Sequence, residues 1–193
     1  METEDIKQNR ISIFKYNVLL SALFFISSSF YLAVQTKDYS LANYTFSELS
    51  YFLDKTRLSF FNSIFFIKAL LDLSFTLYVF RFFGKRLNIL SKTIWLVAVL
   101  SFGLIGFFPV NQYEIIHTLV AYIMFISWTA SEYIFARVTE SREFIYLTNN
   151  LILIQILFII LFFALNSVNA IFETIYFMIV FVWLFNFISR YLK

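Results

Sequence analysis

The chain is 193 residues long and 61% hydrophobic, with 28 Phe, one His, no Cys and a net charge of +3. An ordinary soluble domain is roughly 45–50% apolar, so lipid and not a soluble core must cover much of this surface. Without cysteine there are no disulfides, thiolate nucleophiles or cysteine metal sites, and one His excludes a multi-histidine metal centre.

The first ten residues, Met1 to Arg10, are polar and mixed in charge. The apolar run behind them is too long for a signal-peptide core and lacks a small-x-small cleavage pattern, so the first span is expected to stay in the mature protein. A bilayer-crossing helix needs roughly 17–25 apolar residues. Six windows qualify: Ile11–Val34, Leu58–Phe80, Leu87–Phe108, Ile115–Ala136, Ile145–Leu165 and Val168–Ser189. They are continuously apolar rather than alternating, which predicts an all-α bundle of six transmembrane helices and not a β-barrel. The whole chain, 1–193, reads as one domain. Connections are short except the loop 35–57, in which Phe46–Leu53 is expected to form a short interfacial helix capped by Ser47. No internal repeat relates the two halves, so an inverted-repeat transporter is not supported.

The basic residues are split unevenly between the two ends of these spans. Lys7, Arg10, Lys15, Arg81, Lys85, Arg86, Lys92, Arg137, Arg142, Arg190 and Lys193 fall at the end carrying both termini. Only Lys37, Lys55 and Arg57 fall at the other, and Lys68 lies inside a span. The positive-inside rule then predicts cytoplasmic termini and an outer loop 35–57. The high isoelectric point, ≈ 9.0, and mean hydropathy of +0.78 together describe a protein anchored on anionic head groups at its cytoplasmic face, with no nucleic-acid partner. The loop Arg81–Arg86 is expected to make that contact.

The outer loop carries Tyr39 and then Ser47-Glu48-Leu49-Ser50, a Tyr…Ser-Glu-Leu-Gly-like signature. Phe61-Asn62 follows at the start of the second span, then Gly106-Phe107-Phe108-Pro109 and His117-Thr118-Leu119-Val120-Ala121. These motifs, spread over roughly the first two-thirds of the chain, resemble domain-of-unknown-function family nine-nine-eight. The resemblance implies a six-span prokaryotic membrane protein, distantly related to the Frag/DRAM/Sfk group, in the plasma membrane. It implies no established activity. Eukaryotic relatives touch lipid remodelling, GPI-anchor processing and autophagy, which is analogy at the level of fold. Ser50 stands where Gly is expected, and Lys68 and Asp72 are not part of the pattern.

Seven polar positions are candidates for chemistry. His117 lies about one turn below the outer surface, on a stripe continued by Ala121, Met124, Trp128 and Ser131 that is expected to face the bundle. Its imidazole can serve as acid or base, or can order the outer end by bonding a loop carbonyl. Glu48, on the same side, can orient that imidazole or position a water, with Ser47 and Asn62 as partners; equally, Ser47 and Glu48 can seat a short helix on the bundle. Glu173 is expected about 8 Å into the sixth span. Lipid exposure would cost about 2–3 kcal/mol near the centre and less near the edge, so it should face inward, joining His117 or bonding Asn169 and Thr174. Lys68 and Asp72, one turn apart at mid-span, read either as a proton or ion relay or head-group anchor, or as a self-neutralising buried pair. Glu132, Asn149, Asn150 and Gln155 read as interhelical hydrogen-bonding groups.

No phosphate loop, nucleophile elbow or HExxH zinc helix is present, and no metal or cofactor is expected. The expected site is an outward-opening polar pocket walled by Glu48, Asn62, His117 and Glu173, with Lys68 and Asp72 deeper. Its expected ligand is a lipid or lipid head group. The competing classes are a lipid-modifying enzyme using His117 and Glu48, a small-solute or proton transporter using Lys68 and Asp72, and a structural or partner-binding membrane protein without catalysis.

Overall fold

A computed structural model describes residues 13–165 and 168–192. Lys7, Arg10, Lys193 and the expected span start at Ile11 lie outside them. Among the described residues there is no strand, and six helices are long and apolar enough to cross a membrane. They are α1 (Asn17–Gln35), α2 (Lys55–Phe83), α3 (Ile89–Phe107), α4 (Val110–Val138), α5 (Arg142–Ala164) and α6 (Ala170–Tyr191). With six crossings, both ends of the described chain meet at one end of the bundle, where the Lys15 ammonium donates to the Leu192 carbonyl at 3.1 Å. This is the terminal end; the loop between α1 and α2 lies at the loop end.

Local chemistry sets the helix limits, and it shifts several of the expected ones. The second span starts three residues early because Asp54 caps it, accepting from the amides of Thr56 and Arg57 at 3.0 Å each. It runs on to Phe83 and stops at Gly84, whose φ of 51° is the left-handed conformation glycine adopts most readily. A 3-10 turn, Ile13–Tyr16, precedes α1. The fourth helix begins at Val110 behind Pro109 and breaks at Tyr113 (φ −137°, ψ 48°), so its unbroken part starts next to the expected Ile115. The sixth begins at Ala170, capped by Asn169, whose side chain accepts from the Phe172 amide.

Helices α1 to α4 pack in sequence order. The α2–α3 contact is close because α3 offers glycine. A Cβ on Gly106 would lie 2.8 Å from the Asn62 carbonyl oxygen and 2.9 Å from Phe65 Cβ, and one on Gly103 would lie 3.1 Å from Ala69 Cβ. The interior forms two apolar clusters. The terminal half holds Phe75, Trp95, Phe135, Phe144, Trp183 and Phe187, with Trp95 and Phe135 rings 4.3 Å apart. The loop half holds Phe25, Leu49, Phe61, Phe65, Phe102 and Met124. Helix α5 is the least embedded: 17% of its most apolar window is buried, against 33–44% for the others. The seam it forms with α4 is therefore loosely closed.

Candidate functional site

The loop end brings together polar residues far apart in sequence. Thr45 starts the 3-10 turn Ser47–Tyr51: its hydroxyl oxygen accepts from the Glu48 amide at 3.2 Å, and the Glu48 carboxylate accepts from the Thr45 amide at 2.7 Å. This is a reciprocal capping box with Thr-x-x-Glu spacing. The expectation that Ser47 caps the segment is corrected: Thr45 does so, because it has a carboxylate three residues on. The turn drives Phe46 and Leu49 into the bundle, at 1% and 0% exposure, and Phe46 meets the rings of Phe25 and Phe30.

The start of α6 holds this plug in place. The Ala170 amide donates to the Tyr44 carbonyl at 2.8 Å, and Asn169 Nδ2 donates to the Ala42 carbonyl at 2.8 Å. The Glu173 carboxylate accepts from the Phe46 amide at 2.6 Å. Glu173 thus sits in the first turn of α6, bonded to the loop; Asn169 and Thr174 bond elsewhere. From α4, Asn111 Nδ2 donates to the Ser50 carbonyl at 3.1 Å. The Tyr39 hydroxyl donates to the carbonyls of Thr45 and Tyr44. Burial, and then the nearby Glu173 and Glu48 carboxylates, push its pKa above the ordinary tyrosine value. Ser50, where the family-like pattern expects Gly, is buried with its hydroxyl unpartnered among the described residues.

His117 is the first buried residue of α4 after the break at Tyr113. Its Nδ1 lies 2.7 Å from the Phe108 carbonyl oxygen. A carbonyl only accepts, so Nδ1 carries the proton and Nε2 is the nitrogen left to offer a lone pair. The break at Tyr113 and the chain reversal at Pro109 are what place the Phe108 carbonyl beside the ring. The stripe expected to face inward does so: His117, Met124 and Ser131 are buried, and Ala121 and Trp128 half-buried.

Glu48, His117, Glu173 and Ser47 line one cleft of about 500 Å³. Along α4 its lining passes from Glu114, His117 and Thr118 to Ala121, Tyr122, Phe125 and Ile126; Thr45, Tyr51, Val110, Ile159, Val168 and Phe172 complete it. From Glu114 to Ile126 the cleft follows α4 for about 18 Å at the helical rise. Tyr122 and Ile126 are 49% and 70% exposed, so the apolar part opens sideways through the α4–α5 seam. Among the described residues no Lys or Arg lines it. Glu48 and His117 share the cleft but do not bond: the imidazole is oriented by Phe108, and the carboxylate is held by Thr45. The Tyr51 phenol, close to Glu114 and Glu48, has its pKa raised by partial burial and by those carboxylates.

The remaining candidates lie elsewhere. Asn62 is half-buried in the α2–α3 contact, where its carbonyl crowds Gly106, and it does not line the cleft. Lys68 and Asp72 are paired at mid-span, at 5% and 1% exposure. The second carboxylate oxygen accepts from the Ser21 hydroxyl, and the ammonium lies 4.1 Å from the Phe102 ring centre and 6.0 Å from that of Trp128. The pair borders a small cavity of about 30 Å³, and another of that size, lined by Ser47 and Glu173, lies nearer the cleft. Toward the terminal end, Gln155 Nε2 donates to the Glu132 carboxylate at 3.1 Å, and Thr129 bonds Tyr176. Asn149 and Asn150, expected to join helices, are instead exposed, because they fall on the outer face of α5.

Sequence reasoning missed Glu114 and Thr45. Both had a signal: Glu114 is three residues before His117 on one helix face, and Thr45 completes the capping-box spacing.

Six apolar helices around a loop-capped cleft define an integral membrane protein of the six-span helical class. The family described as Protein of unknown function (DUF998) matches residues 19–189, and the chain belongs to it. That match extends well beyond the motif-bearing first two-thirds. No curated protein and no solved structure matches the chain.

Proposed function

We propose that the loop-end cleft binds the head group of a membrane lipid, and that His117 Nε2 serves as the base wherever the bound head group is modified. The carrying observation is the cleft's division along α4: polar residues lie at the level of Glu114 and His117, and an apolar channel at Tyr122 and Ile126 opens toward the acyl chains. A soluble ligand has no use for that lower half, whereas a lipid fills both. With three glutamates and no Lys or Arg lining it, the cleft offers no counter-charge to a bare phosphate and favours a head group bearing a cationic amine. Tyr51, at the level of the glutamates, adds an aromatic face that suits an ammonium. The uneven split of basic residues supports cytoplasmic termini and a loop end at the outer leaflet.

The transporter alternative has less support. The carboxylate of Asp72 is taken by Lys68 and Ser21, and the aromatic cluster around Phe135, Phe144 and Trp183 fills the terminal half.

The test is the lipid profile of a strain lacking the protein, complemented with the wild type or with His117→Ala. Modification predicts a lipid that accumulates on deletion, is restored by the wild type and is not restored by His117→Ala. Binding is read separately, by crosslinking with a photoactivatable amine-headed lipid. Label should map to α4 and α5 and fall with Glu114→Gln. Equal labelling by a photoactivatable anionic lipid would count against the amine class, and label spread evenly over all six helices would sink the cleft itself.

A further inference from the structure

A second open cavity, of about 450 Å³, lies at the terminal end between the start of α3 and the end of α4. Arg86, just before α3, and Arg137, at the end of α4, both line it. Among the described residues neither has a carboxylate within ion-pair distance; the described ion pairs are Arg57–Asp54 and Lys68–Asp72. Glu140 also lines the cavity, so the two guanidinium groups outnumber the one carboxylate.

Arg137 is already ordered. Its Nη2 donates to the Tyr133 hydroxyl at 2.9 Å, and the guanidinium lies 5.0 Å from the centre of that ring. A guanidinium held this way loses little freedom on binding and presents a planar donor fork suited to phosphate oxygens. Asn88 Oδ1 is occupied by the amide and hydroxyl of Ser91 at 2.8 and 2.9 Å, which leaves its Nδ2 as a further donor. The positive end of the α3 dipole adds to the same field. Donors therefore dominate this cavity, the reverse of the carboxylate-rich cleft at the loop end. Its wall is apolar at Ile134 and Val138, and the neighbouring Ile89 and Leu90 are 79% and 63% exposed. An acyl chain has a surface beside the phosphate.

We infer that this cavity is a binding site for the phosphate of an anionic phospholipid, held between Arg86 and Arg137. The inference is independent of what the loop-end cleft binds. Free phosphate shares the recognised chemistry, and the exposed apolar flank is what favours the lipid.

The test is native mass spectrometry of the full chain in detergent, titrated with phosphatidylglycerol, phosphatidylcholine or inorganic phosphate. The wild type should retain phosphatidylglycerol about tenfold more strongly than phosphatidylcholine, as two interfacial arginines allow. In R86Q/R137Q that preference should vanish, whereas R81Q/K85Q, altered outside the cavity, should keep it within about twofold. Tyr133→Phe, which frees the guanidinium without removing charge, should lower it about threefold, and it serves as the readout where R86Q/R137Q does not fold. A preference that survives R86Q/R137Q, or is unchanged in Tyr133→Phe when that variant is the readout, overturns the site. So does equal loss in R81Q/K85Q, which would mean diffuse surface charge. Displacement of the lipid by inorganic phosphate at comparable concentration overturns the lipid assignment in favour of a free-phosphate site.

Discussion

Asp72 offers a direct measure of what the mid-span pair contributes. Its carboxylate takes the Lys68 ammonium on one oxygen and the Ser21 hydroxyl on the other, at 1% exposure. Asp72→Asn keeps an oxygen for one of these donors but leaves the ammonium uncompensated. Breaking a buried pair by removing one partner costs about 3–5 kcal/mol. Here the lower end of that range is expected, about 3 kcal/mol, because the Phe102 face 4.1 Å from the ammonium goes on stabilising it by up to about 2 kcal/mol. Asp72→Ala also loses the Ser21 bond, worth about 0.6–1.7 kcal/mol in a membrane interior, so its cost should rise to about 4–5 kcal/mol. Replacing both charges, Lys68→Met with Asp72→Leu, leaves nothing unpaired and should come within about 1 kcal/mol of wild type. Reversible unfolding in mixed micelles measures all three. If Asp72→Asn is as stable as wild type, or if the double replacement costs the sum of the two singles, the pair is not a mutually neutralising unit and the reasoning fails. The double replacement should also leave lipid labelling of the loop-end cleft unchanged, since neither residue lines it.

Other outcomes follow from local geometry. Gly106→Ala must push the Asn62 carbonyl or the α2 backbone aside and should lower stability by about 1–3 kcal/mol, while Gly103→Ala, facing only a methyl group, should cost less; thermal unfolding ranks them. Thr45→Ala removes the capping box and should cost about 1 kcal/mol, read as faster hydrogen exchange at Glu48–Phe52 with little change in the helices. Ser50→Ala deletes a buried hydroxyl that has no described partner, so it should be neutral or stabilising by up to about 1 kcal/mol; marked destabilisation would show that the hydroxyl is satisfied. Tyr39 has a folded-state pKa above its ordinary 10.0, so its contribution is complete below pH 10 and fades as pH rises toward the folded value. Loop exchange should therefore accelerate in alkali in the wild type, and Tyr39→Phe should weaken that dependence.

How much of this was readable beforehand differs by element. The six spans were legible because twenty-odd apolar residues in a row admit few other structures. Their ends were less so, because capping groups such as Asp54 and Gly84 extend α2 into residues that hydropathy scores as loop. His117 and Glu173 were correctly brought to one end by counting crossings. What counting could not supply was the partner of each. Glu48 could be read as orienting the imidazole or as seating a short helix, and His117 as an acid or base or as bonding a loop carbonyl; the structure shows the second of each, because a carboxylate three residues after a Thr is captured locally by its amide and the imidazole meets the carbonyl freed where α3 ends at Phe107. The Lys68–Asp72 contact was visible as an i, i+4 pair, whereas Ser21 and Phe102, which complete its surroundings, come from other helices and leave no trace in spacing. Asn149 and Asn150 were misjudged because composition does not report which face of a loosely embedded helix meets lipid.

The bonds from Asn169, Ala170 and Glu173 to residues 42–46 have a consequence for biosynthesis. They join the loop between α1 and α2 to a helix that a ribosome makes after the other five. While α1 to α5 are already in the bilayer, Phe46 and Leu49 have neither the amide nor the carboxylate contacts that seat them, and the cleft lacks one wall. Assembly of the proposed site therefore waits for α6, and any ligand that occupies it reports on a chain in which all six described helices are in place.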